Sequence, residues 1–381
     1  MHVKPLLLFS RGDDDAEFLY ACRFPVEQAL YVRFGEDDDL LVLPGMEVGR
    51  AQRQARATRI VDRLEMGWQD GPDLPKAWLE VARRVLAERS VRSVRVSPML
   101  PAILYEGLRQ LDLEVEIDRD LFVRERRRKS VEEVEFIRAA QEAAEAACRE
   151  VIALLATAQP RSDGWLWLED SPLTSERLMA RAQATLNEIG YLAREMIVAG
   201  APDCALPHLR GSGPIRVGAP VIIDIFPRGS TSRYHGDLTR TVVVGPVPEE
   251  IRRMHEACVA AMDEAISRLV DGANGREVHH AVCRTLVERG YGTSTPGFEG
   301  RSEGPIMNHS TGHGVGLEVH EPPTIGRVDC TLQAGDVVTV EPGLYLSGLG
   351  GVRVEDTGLV TSKGFQDFTT LPRSLDPADY L

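Results

Sequence analysis

The sequence predicts an α+β protein in which a smaller α/β domain, residues 1–122, precedes a larger domain, residues 123–381. Three observations carry this. Short apolar, β-branched runs alternate with helical spacings over the first domain. A charged run at 118–130 then opens a long alanine-rich helix. Beyond it, helical patterns are separated by strand–turn–strand segments, the pattern of mostly antiparallel strands with helices packed on one face.

In the first domain, strands are expected at 6–9, 28–32, 39–43, 91–96 and 113–117, and helices at 45–64 and 75–89, the second led by Pro75. The runs Asp13-Asp14-Asp15 and Asp37-Asp38-Asp39 lack the spaced ligands and glycine of a calcium loop and read as solvated turns. The basic run Arg126-Arg127-Arg128-Lys129 reads as a solvated linker rather than a nucleic-acid patch. Ser130 and Glu133 are spaced as a capping box for a helix over about 131–156. Three more helices are expected at 175–189, 249–269 and 276–289. Gly211-Ser212-Gly213 is not followed by a phosphate-loop pattern and reads as a turn. The last residues, 371–381, read as a surface tail.

The chain has 381 residues, 43% of them hydrophobic, enough to bury a sizeable core. Its formal net charge of −14 argues against nucleic acid or an anionic membrane as the main partner. The apolar part of residues 1–15 is too short for a signal peptide, and no stretch approaches the length of a membrane-spanning helix. Cys22, Cys148, Cys204, Cys258, Cys283 and Cys330 are scattered, as reduced thiols of a cytoplasmic protein would be.

The chemistry concentrates in four apolar strands. Val221-Ile222-Ile223-Asp224-Ile225 holds one carboxylate. After a turn, His235-Gly236-Asp237-Leu238-Thr239 opens another apolar run with a second. The later segments Val337-Val338-Thr339-Val340-Glu341 and Val352-Arg353-Val354-Glu355 repeat the plan, with spacings of 13 and 14 residues. A lone acid at a strand end is usually a turn former. Four of them, each among β-branched residues, are costly to bury without a cation. His313, in the Gly-rich turn Thr311-Gly312-His313-Gly314, can add a nitrogen. Four carboxylates and one imidazole exceed a single tetrahedral site. They suit two divalent ions, with manganese, cobalt, zinc or iron all compatible, sharing a water that becomes a nucleophile.

At these residues the sequence resembles the pita-bread metallopeptidases, the family of aminopeptidase P, prolidase, methionine aminopeptidase and creatinase. The motifs span about residues 120–375, and the preceding domain matches the creatinase-like N-terminal domain of that family in size and place. The resemblance implies that Asp224 chelates one metal, that Asp237 and Glu355 bridge two, and that His313 and Glu341 bind the second. It implies that His208, in Ala205-Leu206-Pro207-His208, lines the substrate pocket. His320 would stabilise the tetrahedral intermediate, Glu341 would shuttle the proton, His309 would shape the pocket, and Arg353 would support a ligand or touch substrate.

The resemblance further implies cleavage of the bond before proline, with Xaa-Pro dipeptides preferred, manganese as the first choice of metal, and a homodimer. Aminopeptidase P action on longer peptides is the close alternative, and a metal-free pita-bread binding module a distant one. Two departures bear on the substrate. The turn between Asp224 and Asp237 is two residues longer than is usual in the family. Glu321-Pro322-Pro323-Thr324 also lacks the arginine that some prolidases place there for the dipeptide carboxylate. Arg228, Arg233 and Arg210 are the candidate replacements, since a carboxylate is best held by a guanidinium.

Overall fold

In the computed structural model, which describes residues 4–71, 73–301 and 303–381, residues 1–3 of the N-terminal stretch read above lie outside the described residues. The chain divides into two units, Met1–Arg126 and Arg127–Leu381.

Period-two burial builds the first unit. Leu6 and Leu8 of β1 (Leu6–Phe9) enter one apolar cluster and Leu7 the other, so the sheet is covered on both faces. Its other strands are β2 (Leu30–Arg33), β3 (Asp39–Leu43), β4 (Arg59–Asp62), β5 (Ser93–Val96) and β6 (Glu114–Ile117), in the order β4-β3-β2-β1-β5-β6. The helices are α1 (Ala16–Cys22), α2 (Gly45–Gln54), α3 (Leu74–Glu88) and α4 (Ala102–Arg109). Two expectations fail here. The helix expected over 45–64 stops at Gln54, because Ile60 and Val61 pair in parallel with Leu41 and Val42 as β4. Asp15 is no solvated turn: it is buried and caps α1 by accepting the Phe18 N–H. Helices α1 and α4 are additions, short enough to escape a periodicity reading.

The second unit starts from α5 (Val131–Thr157). Its capping box forms as read: Ser130 accepts the Glu133 N–H, and Glu133 accepts that of Ser130. With α6 (Ser175–Glu188), α5 covers the antiparallel sheet β7 (Met196–Gly200), β8 (Pro220–Ile225) and β9 (Leu238–Val243) through Val151, Ile152, Leu178, Val198, Ile223 and Leu238. A second helix pair, α7 (Glu249–Ile266) and α8 (Gly275–Glu288), covers the later strands through Met254, Ala261, Val278, Val338 and Val352. Those strands are β10 (Gly312–Gly314), β11 (Glu321–Ile325), β12 (Val337–Val340), β13 (Gly343–Leu346), β14 (Gly350–Arg353), β15 (Asp356–Thr361) and β16 (Gly364–Asp367). The order β11-β10-β12-β15-β16 makes one sheet, and β13 and β14 form a hairpin in another. The two-strand plan expected for Glu341 and Glu355 is thereby modified. The β13–β14 hairpin is inserted between them, and β12 pairs with β15 so that Val340 faces Asp356.

Two charged segments differ from expectation. Arg127 bonds Asp336, and Lys129 meets Glu321 at 2.5 Å with both side chains almost wholly buried, so this end of the basic run is not solvated. The C-terminal residues are no loose tail. Leu371 and Tyr380 join the core beneath α5, and Leu375 accepts the Val243 N–H. Among the described residues no helix is long and apolar enough to cross a membrane.

Removing one partner of a buried ion pair costs about 3–5 kcal/mol, whereas replacing both by apolar groups is often near neutral. Lys129→Ala is therefore expected to lose stability in that range, and the double change Lys129→Met/Glu321→Leu to recover most of it, measured by urea unfolding.

Candidate metal centre

The backbone brings the five expected ligands to one place. Asp224 lies in β8, opposite Thr239 of β9. Asp237 stands just before β9, His313 is in β10, Glu341 follows β12, and Glu355 joins β14 to β15. The two halves meet where Glu355 donates its N–H to the Thr239 carbonyl. Ligand atoms of Asp237, His313 and Glu355 all lie within 4.8 Å of one another. His313 Nε2 is 3.6 Å from Asp237 and 3.5 Å from Glu341. Close approach of β10 to β12 requires glycine at 312, where a Cβ would sit 2.0 Å from the Thr339 carbonyl oxygen.

The electrostatics are those of a site built for a cation. Asp237 is 4% and Glu355 2% exposed. Burial pushes Asp237 well above the usual carboxylate range, helped by the charges of Asp224 and Glu341. Burial pushes Glu355 well up too, with Asp237, Glu341 and Asp224 adding to it. Glu341 is pushed up to about 8, first by burial. Burial and His320 push His313 down to about 3, so its imidazole is neutral, as a metal ligand must be. Asp224 Oδ1 is buried and has no hydrogen-bond partner among the described residues.

Asp224, Glu355, Asp237 and the turn that carries His313 are held from behind. Arg353 donates to Asp224 Oδ2 at 2.5 Å and to the Tyr345 hydroxyl at 2.8 Å, and that hydroxyl lies 2.9 Å from His309 Nε2. Thr239 donates to Glu355 Oε2. Gln141 of α5 accepts the Asp237 N–H at 2.8 Å. Glu133, one turn into the same helix, accepts the Tyr234 hydroxyl at 2.6 Å. Arg240, wholly buried, donates to the carbonyls of Glu355, Leu371 and Pro372 and to Asp356. His279 joins Thr311 and Thr295, each at 2.8 Å, and so steadies the turn that carries His313.

The remaining sequence candidates lie in three settings. The His320 ring is 4.2 Å from that of His313, centroid to centroid. His309 is 3.9 Å from Glu341. Arg353 is buried on Asp224, which makes it a support of that ligand. Arg228 is buried in a short strand, Arg228–Gly229, and Arg233 is half-buried in the turn that follows. His208 and Arg210 are exposed on the loop whose Pro207 carbonyl accepts a bond from Arg353. Sequence reasoning missed Tyr345, Thr239, Gln141, His279 and His235. The first four look like ordinary core or helix residues. His235 has a signal in standing two residues before Asp237. Its Nδ1 is buried without a partner among the described residues, and burial with the nearby Arg228 pushes its pKa down to about 4.

The fold is thus α+β, with the candidate metal ligands gathered from two antiparallel halves. A family model for metallopeptidase family M24 matches residues 135–362. The chain belongs to metallopeptidase family M24. The Xaa-Pro dipeptidase of Pyrococcus horikoshii is 36% identical over 185 residues, 48% of this chain and 49% of that protein. The Xaa-Pro dipeptidase of Pyrococcus furiosus is 37% identical over the same shares. The chain thus spans about half the length of the curated relatives it matches. Over 98% of its length it also superposes on 95% of the prolidase from Pyrococcus horikoshii, with TM-score 0.78 and 25% identity. It superposes likewise on 97% of an X-Pro aminopeptidase from Thermotoga maritima, with TM-score 0.80 and 24% identity, a likeness of fold.

The family implies divalent metal ions, and the residues fit them. An orphaned carboxylate oxygen, a neutral imidazole and three carboxylates raised first by burial and then by mutual repulsion are what a divalent cation would satisfy. Two outcomes follow. In metal-free protein, Asp237→Asn relieves repulsion and is expected to raise the thermal midpoint, while abolishing the stabilisation that added Mn²⁺ gives the unaltered chain. A metal-free variant less stable than the metal-free parent would contradict this account. His279 is held down to about 4, first by burial, against an ordinary 6.5. The unfolded chain therefore binds a proton that the folded one refuses between those values. Stability is expected to fall as pH drops through that window, by about 3 kcal/mol for this residue at full extent. His279→Asn should flatten that slope in urea unfolding at pH 7 and pH 4.5.

Proposed function

We propose that the protein is a peptidase that hydrolyses the bond before proline, preferring Xaa-Pro dipeptides. The observation that carries the reading is the cluster of buried carboxylates around His313 in a chain of family M24. In this reading Asp224, Asp237, His313, Glu341 and Glu355 hold two divalent ions, manganese first, with cobalt or zinc as substitutes. When bound, the ions supply Lewis acidity and lower the pKa of water.

The chain's own residues do the rest. His320 donates a hydrogen bond to the carbonyl oxygen as charge develops there. Glu341, more exposed than its neighbours, takes a proton from the attacking water and passes it to the leaving nitrogen. Thr239 and Arg353 keep Glu355 and Asp224 oriented. His208 and His309 line the substrate side. The buried Arg228, with Arg233 beside it, receives the dipeptide carboxylate. Support for this last assignment is that Arg228 is buried close enough to His235, two residues before Asp237, for its charge to push that imidazole's pKa down. The reading includes a cytoplasmic homodimer, supported by six free cysteines and by the family likeness respectively. Release of the first residue from longer Xaa-Pro peptides is the second reading, favoured by the missing arginine after His320 and by the likeness to the Thermotoga enzyme.

With Mn²⁺-loaded protein, Ala-Pro is expected to be cleaved and Ala-Pro-Ala spared. His320→Ala should lower kcat by roughly 100- to 1,000-fold. Arg228→Met should raise KM for Ala-Pro about tenfold or more with a smaller effect on kcat. Cleavage of the tripeptide alone would replace the first reading by the second. Cleavage of neither would overturn proline specificity.

A further inference from the structure

Helix α7 places Arg252, His255 and Glu256 at i, i+3 and i+4, so the three side chains share one face. That face borders a cavity of about 530 Å³ within the second unit, lined by none of the metal-centre residues. Small-molecule sites run from roughly 300 to 1,000 Å³. The cavity floor is apolar, with Val243 and Leu375 both buried.

His255 is the telling group. It is 8% exposed, it lines this cavity, and its imidazole makes no hydrogen bond among the described residues. Its ring nitrogens are not sealed in the core but open to the cavity. Burial and the charge of Arg240 push its pKa down to about 4, so it meets the cavity as a neutral ring with one donor and one acceptor. Arg252 approaches Glu249 only to 3.8 Å, beyond hydrogen-bond range, which leaves its guanidinium donors for another carboxylate. Glu256 is exposed one turn away. The other cation at the rim, Arg373, is engaged with Asp263, Asp356 and Asp367.

A cation and an anion one helical turn apart, a neutral imidazole beside them and an apolar floor together select a small zwitterion with an aliphatic group. We propose that this cavity is a second ligand site, for a free α-amino acid with an apolar side chain. Its carboxylate is held by Arg252, its ammonium by Glu256, its polar end is bonded by His255, and its side chain lies on Val243 and Leu375. The assignment stands independently of the peptidase reading.

The test is a titration of the full chain with L-leucine, with the ε1 carbon of histidine isotopically labelled and the nine imidazole signals followed by NMR. The signal lost in His255→Leu identifies His255. It is expected to shift saturably, and Arg252→Met, like methyl esterification of the leucine, to weaken the titration about tenfold or more. A still His255 signal while those of His313 or His320 move would put the amino acid in the metal centre and overturn the proposal. So would no movement of any signal up to the solubility of leucine, or a titration that Arg252→Met leaves unchanged.

Discussion

Gathering Asp224, Asp237, Glu341 and Glu355 at one point, three of them with little access to water, is the constraint on which the second unit depends. Like charges at that density cannot all ionise in an apolar wall unless something positive faces them. The chain supplies part of it. Arg353 lies on Asp224, a hydroxyl meets Glu355 and a backbone donor meets Asp237. What it leaves over is specific: a neutral imidazole, an orphaned Asp224 oxygen and carboxylates held above their ordinary range. That remainder matches a divalent cation in charge and in donor chemistry.

The same constraint explains the supports behind the site. The ligands sit on separate strands of two sheets, so a small slip of one sheet on the other would disperse them. Arg240 blocks the slip by bonding carbonyls on both sides of the junction where Glu355 meets Thr239. Helix α5 acts as a rail. Lys129 just before it, and Glu133 and Gln141 within it, hold Glu321 beside His320, Tyr234 beside His235, and Asp237 itself. Gly236 lies against the Ala140 backbone, where a Cβ would meet it at 2.6 Å. The C-terminal residues close the same structure from the other side, through Leu371 and Arg373.

Elements with a strong local signal were legible in the sequence. The Ser130–Glu133 box marks the start of α5 because its hydrogen bonds close within one turn. The strands carrying Asp224 and Asp237 could be read from apolar runs interrupted by one acid. Where long-range pairing decides, local pattern misled. Arg59–Asp62 continues a helical spacing, yet it is a strand because β3 offers it an edge. Lys129 reads as one more solvated charge, yet Glu321, far along the chain, draws it into the interior.

The sequence by itself determined the α+β class, the five candidate ligands, and the chemistry that carboxylates among valines demand. Those follow from residue type and spacing, which are local. Only the tertiary structure decided that Arg353 faces Asp224, that Tyr345 links it to His309, and that His255 opens on a cavity of its own. These are contacts between strands and helices far apart in the chain. No periodicity encodes them, because each partner taken alone is an ordinary buried residue.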